Sequence, residues 1–322
     1  MKHTYLLVWG LITGSTILLP QQTMAHGSHG AAGGVLGGAS GIITSGAQIS
    51  QGASFSVQYE RRDYKLMDEQ RLLDLQGIED VHQHKRGEAL YLSATVGLAP
   101  DWDMSFSLPY VRFSGFADNG DAYAQANNTL SRTDTAKGVG DLNIQARYRF
   151  WQQADHQVAA LMGIKLPSGD IRQKTNQGDI LGAHNQPGSG SVDFQLGVAY
   201  SGFYQDIAAI SADVIGRINT EGAGEFRAGN SLQADLALSF LPQSMIVPFI
   251  EFNLLHMDRD IENNAVKKNS GLSSLSLTPG VFVRIGKHQT VYGAISYPLW
   301  EELPGIQNDG KYRLLLGYGV GL

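Results

Sequence analysis

Two pairs of histidines are the residues of this chain whose spacing could bind a metal ion. His26 and His29 stand near the start of the chain, and His82 and His84 stand two positions apart. Side chains two positions apart on a strand point the same way, and a neutral imidazole is a ligand for copper or zinc. The sequence fixes no carboxylate or third ligand beside either pair. A metal site at these four residues is therefore one hypothesis, and a polar tail with a solvated loop is the other.

A catalytic serine is the second chemistry that the histidines could support. A serine hydrolase needs a serine and a histidine within hydrogen-bond distance, with a partner that orients the imidazole. The only His-x-Ser run is His26-Gly27-Ser28, and the spacing around His256 identifies no serine or carboxylate partner. The chain also lacks a phosphate-binding loop, a dinucleotide fingerprint and a zinc-protease motif. We predict that the protein is not an enzyme and uses no cofactor.

The N-terminus indicates an exported protein. Lys2 and His3 precede an apolar run over residues 5–19, and small residues follow up to Ala25. This pattern predicts a signal peptide cleaved after Ala25, with an N-terminal membrane anchor as the alternative. The chain has no cysteine, which excludes disulfides, thiolate metal sites and a thiol nucleophile. A net charge of −6 argues against a nucleic-acid partner.

The rest of the chain alternates between apolar and polar residues with a period of two. Residues 138–150, GVGDLNIQARYRF, place Leu142, Ile144 and Tyr148 on one face and charged side chains on the other. The same pattern predicts strands at 45–61, 88–99, 103–113, 138–150, 156–166, 191–202, 206–219, 229–241, 246–258, 272–285, 290–300 and 311–322. The connections alternate between long and short along the chain, which is typical of a transmembrane barrel with tight periplasmic turns and long outer loops.

These features predict an all-β fold, a closed antiparallel transmembrane β-barrel of about twelve strands in the outer membrane of a Gram-negative cell. An even number of strands places both termini in the periplasm. An arginine that faced lipid at the bilayer centre would cost about 2–4 kcal/mol, so the charged face must point into the lumen. The predicted lumen residues, which would either guide a permeant or form a charge network, are Glu60, Asp141, Arg147, Arg149, Lys165, Asp193, Asp213, Arg217, Asp235, Glu251, Arg284 and Arg313.

The predicted organisation has three parts. Residues 1–25 are the signal peptide, 26–44 a glycine-rich periplasmic segment, and 45–322 the barrel. The stretch 27–46 consists mostly of Gly, Ala and Ser. Such a segment could be a flexible periplasmic leader or could fold into the lumen as a plug, and we favour the leader.

Three glycine-containing motifs follow one another within residues 138–201. They are GVGDLNIQARYRF at 138–150, GIKLPSGD at 163–170 and QPGSGSVDFQLGVAYS at 186–201. In order and spacing they resemble the outer-membrane transporter family named for the MetA pathway of phenol degradation. The resemblance implies a barrel for uptake or export of small molecules, often aromatic ones. Asp170, Gly188 and Gly190 lie at strand ends and are expected to shape the barrel rim.

The function that follows is passive passage of small molecules, with aromatic or hydrophobic compounds among the candidates, through a polar, charge-lined lumen. The expected partners are outer-membrane lipid, the barrel assembly machinery and the permeant. The alternative is a non-conducting surface protein that binds a partner or a metal ion through its loops and its histidine-containing N-terminus. The sequence leaves the permeant, the direction of transport and the oligomeric state open.

Overall fold

The structure is a computed structural model. It describes residues 18–19, 35–36, 44–47, 49, 52–75, 81–118, 127–176, 178, 180–285 and 288–322. The predicted cleavage point and the residues His26 and His29 lie outside this part of the chain. Among the described helices, none has the length and the apolar character needed to span a membrane.

Twelve long strands form the main sheet, and all of their pairings are antiparallel. They are β1 (Ala53–Tyr64), β2 (Arg86–Ala99), β3 (Trp102–Asp118), β4 (Ser131–Val139 and Leu142–Gln153), β5 (His156–Leu166), β6 (Asp193–Tyr204), β7 (Ala208–Ile218), β8 (Ser231–Phe240), β9 (Ile246–Met257), β10 (Leu272–Ile285), β11 (Gln289–Glu302) and β12 (Gly310–Gly321). Each strand pairs with the next along the chain, and β12 pairs with β1. The sheet therefore closes into a barrel with no free edge, which is the form that a sheet must take in hydrocarbon.

Several short elements lie at one end of the barrel, within the long connections. His82–Gln83 extends the sheet beside the end of β3. Phe226–Arg227, Ile261–Glu262 and Ala265–Val266 form a separate three-stranded sheet. The helix Glu69–Asp74 begins at Asp68, whose carboxylate accepts a hydrogen bond from the backbone N–H of Gln70. Elsewhere Leu18–Leu19 pairs with Val35–Leu36, and Ala183–Asn185 and Ala223–Glu225 are single 3-10 turns.

Tight turns close the opposite end. The turns after β4, β6 and β8 each contain a residue with left-handed backbone, namely Ala154, Gln205 and Leu241, with φ of 49°, 55° and 51°. This conformation reverses the chain within a few residues. The alternation of long and short connections is therefore present in the structure as the sequence predicts.

Three strands differ from the predicted pattern. The third continues to Asp118 although its predicted end is residue 113. The first strand begins at Ala53 rather than near residue 45, because Thr44–Ala47 turns into the barrel and pairs with no strand. The fourth strand is interrupted at Gly140 and Asp141, where the chain steps between two segments that both pair with β3. β5 and β10 have the predicted bounds, His156–Leu166 and Leu272–Ile285.

The two faces of the wall differ in the way that a bilayer requires. Outward side chains are large and apolar, for example Phe55 at 50% exposure and Leu196 at 64%. Inward side chains are polar and buried, for example Gln58 and Glu60 at 1%. A soluble protein does not expose apolar side chains over its whole wall, so the outward face is the lipid-facing surface. The fold class predicted from the sequence is confirmed.

Candidate functional site: the charged lumen

An arginine–aspartate pair lies in the polar lining, near the end of the barrel that the tight turns close. Arg147 on β4 and Asp103 on β3 are direct cross-strand neighbours. The guanidinium donates two hydrogen bonds to the carboxylate, from Nε to Oδ1 at 3.2 Å and from Nη2 to Oδ2 at 2.5 Å. Its Nη1 donates a third, at 2.8 Å, to the carbonyl of Gly46. The pair is almost completely buried, so its charges are held by protein groups rather than by bulk water.

Lys165 forms a second ionic group nearer the loop end of the lumen. Its ammonium lies 2.5 Å from a carboxylate oxygen of Asp193 and 3.3 Å from one of Asp141. It also donates hydrogen bonds to the hydroxyls of Ser189 and, at 3.1 Å, Ser191. One cation between two carboxylates leaves the group with net negative charge.

Asp141 also connects the three glycine-containing motifs. One of its oxygens accepts hydrogen bonds from the backbone N–H and hydroxyl of Ser189, at 2.9 and 2.6 Å, and the other accepts the N–H of Gly169 at 2.9 Å. The backbones of Gly169 and Gly188 are in contact, because a Cβ added to either would lie 2.5 Å from the other. The carbonyl of Asp170 accepts the N–H of Gly188 at 2.8 Å. The motif residues therefore pack as one structural cluster at the mouth.

Three carboxylates lie together on the neighbouring strands β7–β9. Asp213 on β7 and Asp235 on β8 are cross-strand partners, and Glu251 follows on β9. Asp235 accepts hydrogen bonds from Gln233 and, at 2.9 Å, from Asn253. This wall is acidic, and the amides of its neighbours provide part of the compensation.

A further ion pair, between Arg313 and Glu60, lies beside these three carboxylates. Nη1 of Arg313 on β12 lies 3.7 Å from Oε1 of Glu60 on β1, and both side chains are buried. Gln58, two positions before Glu60, accepts a hydrogen bond at 2.9 Å from the hydroxyl of Tyr292. The ring of Tyr292 lies over Gly317 of the neighbouring strand, where a Cβ would meet it at 2.0 Å, so this position has no room for a larger residue.

Nine of the twelve predicted lumen residues are buried on the inward face, and three are partly exposed. Arg149 binds Asp101 and the carbonyl of Pro100, and Arg284 binds the carbonyls of Pro242 and Ser244, so both hold tight turns rather than the central lining. Arg217 donates a hydrogen bond at 3.3 Å to Gln195 on β6. Sequence reasoning missed Asp103, although the alternation of Asp103, Ser105 and Ser107 with apolar residues places it inward.

A short N-terminal segment, Thr44–Ala47 with Ile49, lies inside the lumen. The N–H of Ser45 donates to a carboxylate oxygen of Asp213, and the N–H of Ala47 donates to the hydroxyl of Ser201 at 2.9 Å. With the Gly46 carbonyl on Arg147, the segment contacts three strands of the wall, β4, β6 and β7. Thr44, Ser45 and Ala47 are fully buried, so this lumen segment occupies part of the cross-section of the barrel.

Apolar side chains line another part of the lumen, around Ala47. They are Ala159, Leu161, Ala199, Ile215, Phe249, Tyr292, Ala294 and Leu315. The lining therefore combines a charged surface with an apolar one. A pathway of this kind can contact both the apolar body and a polar substituent of a small molecule.

The second histidine pair is part of an aromatic cluster in the loops. The rings of His82 and His84 are 5.9 Å apart, and the ring of His184 stacks on His82 at 4.9 Å. Nε2 of His84 lies 3.0 Å from Oδ1 of Asn185. Within the part of the chain that the structure describes, no group of three or more His, Cys, Asp or Glu has the geometry to hold a metal ion. The metal hypothesis for His82 and His84 stays a prediction, and no sequence pattern pointed to His184.

His256 has a serine neighbour on the outer surface of the barrel. Its Nδ1 lies 2.9 Å from the hydroxyl of Ser273, its cross-strand partner on β10. Its Nε2 lies 3.6 Å from Asp258, which is beyond hydrogen-bond distance, and both side chains are about 60% exposed. The carboxylate therefore does not orient the imidazole as a catalytic triad requires. That the protein is not an enzyme stays a prediction.

Known structures share the architecture. An outer-membrane channel from Pseudomonas putida F1 is similar with a TM-score of 0.59 and 16% identity, over 84% of this chain and 96% of the channel. The NanC porin gives a TM-score of 0.48 and 10% identity, over 83% of this chain and 100% of the porin. CymD, a monoaromatic hydrocarbon channel, gives 0.45 and 8%, over 86% of this chain and 90% of CymD. The first similarity supports the barrel fold. No curated protein matches the sequence.

A family model matches residues 89–302, which is more than half of the chain. The matched range contains the strands β3 to β11 in full. Its description reads "Putative MetA-pathway of phenol degradation". The matched range contains the three motifs that meet at Asp141, so the resemblance seen in the sequence is confirmed. The chain belongs to this family.

Proposed function

We propose that the protein is an outer-membrane channel for the passive passage of small molecules, with its long loops outside the cell and both termini in the periplasm. The observation that carries the proposal is the closed wall with an apolar outward face and a charged inward face. A lumen that existed only to be filled would be more stable with apolar side chains, because each buried charge costs desolvation energy. Retained charges fit a hydrated pathway.

The lining supports a small permeant with an apolar body and a polar group. The lumen segment occupies part of the cross-section, and the apolar side chains around Ala47 come largely from the strands that also carry the charged ones. Phenols and related aromatic compounds have this combination, and the family description names phenol degradation. The acidic group at Asp213, Asp235 and Glu251 is expected to favour cations over anions among small ions.

Single-channel recording in planar bilayers tests the proposal. The purified mature protein, verified as a folded barrel, should give discrete conductance steps, and a salt gradient should show a reversal potential of the sign for cation preference. Replacement of Glu251 by Gln should reduce that preference. A folded barrel that gives no channel events would exclude transport through the lumen.

A non-conducting surface protein is the second candidate, and the burial of the lining favours it. Asp141 and Glu251 are fully buried, and the charge groups around Arg147 and Lys165 are closed networks. In this case the loops and the N-terminus would bind a partner or a metal ion. Calorimetric titration of the mature protein with Cu(II) tests the metal: heat that a His26→Ala/His29→Ala variant loses supports it, and the same heat in both excludes these two ligands.

A further inference from the structure

Basic side chains form a patch on the outward face of β1–β4, at the end from which the long loops emerge. Arg61, Glu88, Arg112 and Lys137 are consecutive cross-strand partners on the four strands. Arg86 lies two positions from Glu88 along β2, closer to the loops, and is the cross-strand partner of Asp63. We name Arg61, Arg86, Arg112 and Lys137 the rim patch.

The rim patch lies where the apolar band of the wall ends. On β3 the outward residues are Trp102, Met104, Phe106, Leu108 and Tyr110, followed by Arg112. Ten residues at ~3.3 Å each, on a strand tilted by ~40°, rise about 25 Å, which is the height of the lipid-facing band of a barrel. The cross-strand row just below the patch is Tyr59, Leu90, Tyr110 and Val139. The basic groups are therefore at the depth of lipid headgroups.

Two carboxylates hold the guanidinium groups without neutralising the patch. Asp63 lies 2.6 Å from Nε of Arg61 and 3.1 Å from Nε of Arg86. Glu88 lies 3.5 Å from Nη1 of Arg112 and accepts a hydrogen bond at 2.6 Å from the hydroxyl of Tyr59. Four basic side chains face two acidic ones, so positive charge is in excess. The side chain of Arg112 is half exposed and that of Lys137 is exposed, so both can reach a ligand.

The patch is confined to one sector of the wall. At the same end of β5–β8, the outward residues are Ile164, Phe194, Ile218 and Leu232. On β9–β11 they are His256, Ser273 and Glu302. Lys311, at the start of the neighbouring β12, is exposed as well, so outward basic side chains at this end of the described wall are confined to β1–β4 and β12.

We propose that the rim patch binds the phosphate-bearing headgroup of a glycolipid in the outer leaflet. Guanidinium groups donate paired hydrogen bonds to phosphate oxygens, and the acyl chains of the lipid would lie on the apolar band below. The rings of Tyr59 and Tyr110 stand at the boundary, where aromatic side chains favour the interface. The site is outside the lumen and does not depend on transport, although it uses the proposed outward direction of the loops.

Titration of the detergent-solubilised barrel with lipid A tests the site. The probes are phosphorylated lipid A and the same lipid after removal of its phosphates, and binding is read by native mass spectrometry. The wild type should bind the phosphorylated lipid at least about tenfold more tightly. An Arg61→Gln/Arg112→Gln/Lys137→Gln variant should lose most of that preference.

A charge-matched control separates a site from a general effect of net charge. Arg172→Gln/Lys174→Gln/Lys268→Gln removes three exposed positive charges from loops outside β1–β4 and should bind within about twofold of the wild type. Equal affinity of the wild type for both lipids, or an equal loss in the control, would overturn the proposal. The heat-dependent shift in electrophoretic mobility verifies folding, and Lys137→Gln alone provides a milder variant with a smaller loss in the same direction. Unchanged conductance of the triple variant would show that lipid binding and transport are separate.

Discussion

Charge pairing in the lumen is close where a basic residue and a carboxylate are direct cross-strand neighbours. Arg147 and Asp103 meet in this way, and the arginine also holds Gly46 of the lumen segment. Its side chain therefore connects the wall to the chain inside it. Removing one member of a buried pair leaves the other charge without compensation, which costs more than removing both.

The coupling free energy between Arg147 and Asp103 can be measured with a double-mutant cycle. Arg147→Met and Asp103→Leu should each lower the free energy of unfolding by about 3–5 kcal/mol, whereas the double variant should lose clearly less than the sum. Denaturant unfolding in lipid vesicles gives the values. Additive losses would show that the two groups act independently.

Individual lumen residues could be predicted from the sequence only as far as their direction. The period of two places Arg147 and Lys165 inward, because direction depends on position within a strand alone. Their partners depend on register between strands, which the sequence of one strand does not specify. Asp103 was missed although the alternation within its own strand places it inward, whereas the contacts of Arg149 and Arg284 with tight turns depend on register and were not predictable.

At the scale of elements, the three glycine-containing motifs pack together and connect β4 to the chain between β5 and β6. The break in β4 lets Asp141 bind the chain at Gly169 and at Ser189, on both sides of the loop between β5 and β6. Gly169 and Gly188 lie in backbone contact, a separation that excludes any side chain.

Substitution of one of these glycines should disturb the packing of the motifs and lower the stability of the barrel. Gly169→Ala places a methyl group 2.5 Å from the Cα of Gly188, so the backbone must shift, and we expect a loss of about 1–3 kcal/mol. Gly216→Ala is the control, because its Cβ would have only one neighbour, at 3.9 Å. The two variants are compared by their unfolding midpoints. Equal stability of both would contradict the packing described for the motif.

The lumen segment is an element that sequence reasoning assigned differently. A run of Gly, Ala and Ser has no periodicity from which a partner surface can be inferred. The sequence is therefore compatible with both a flexible periplasmic leader and a plug in the lumen, and the leader is the interpretation that we favour from the sequence. The structure places Thr44–Ala47 against Asp213, Ser201 and Arg147. The strands themselves were predictable, since β5 and β10 have the expected ends.

Two deletions test whether the lumen segment narrows the pathway. Removal of residues 27–49 should raise the single-channel conductance by about twofold or more, because the free cross-section increases. Removal of residues 27–42 alone retains the segment and should leave the conductance near the wild-type value. If the longer deletion conducts no more than the shorter one, the segment does not limit passage.

At the scale of the whole molecule, the barrel places its apolar surface outside and its charges inside. This inversion could be predicted from the sequence because three signals agreed: alternation, loop lengths and the exported N-terminus. The arrangement of the charges, which decides what passes, depends on pairings around the whole circumference.

The orientation of the faces has an energetic consequence. Leu196→Arg places a charge on the lipid-facing side of β6 and should destabilise the barrel by about 2–4 kcal/mol in vesicles. Leu66→Arg makes the same change at an exposed leucine in one of the long loops and should alter stability by less than about 0.5 kcal/mol. A similar cost at both positions would mean that Leu196 does not face lipid.

Thiol labelling during current recording tests most directly whether the lumen is the pathway. The chain has no cysteine, so Gln195→Cys on the inward face and Leu196→Cys on the outward face each introduce a single reactive group. A charged, membrane-impermeant thiol reagent should reduce the current through Gln195→Cys and leave that through Leu196→Cys unchanged. A reduction only for Leu196→Cys, or none for either in a conducting barrel, would contradict transport through the charged lumen.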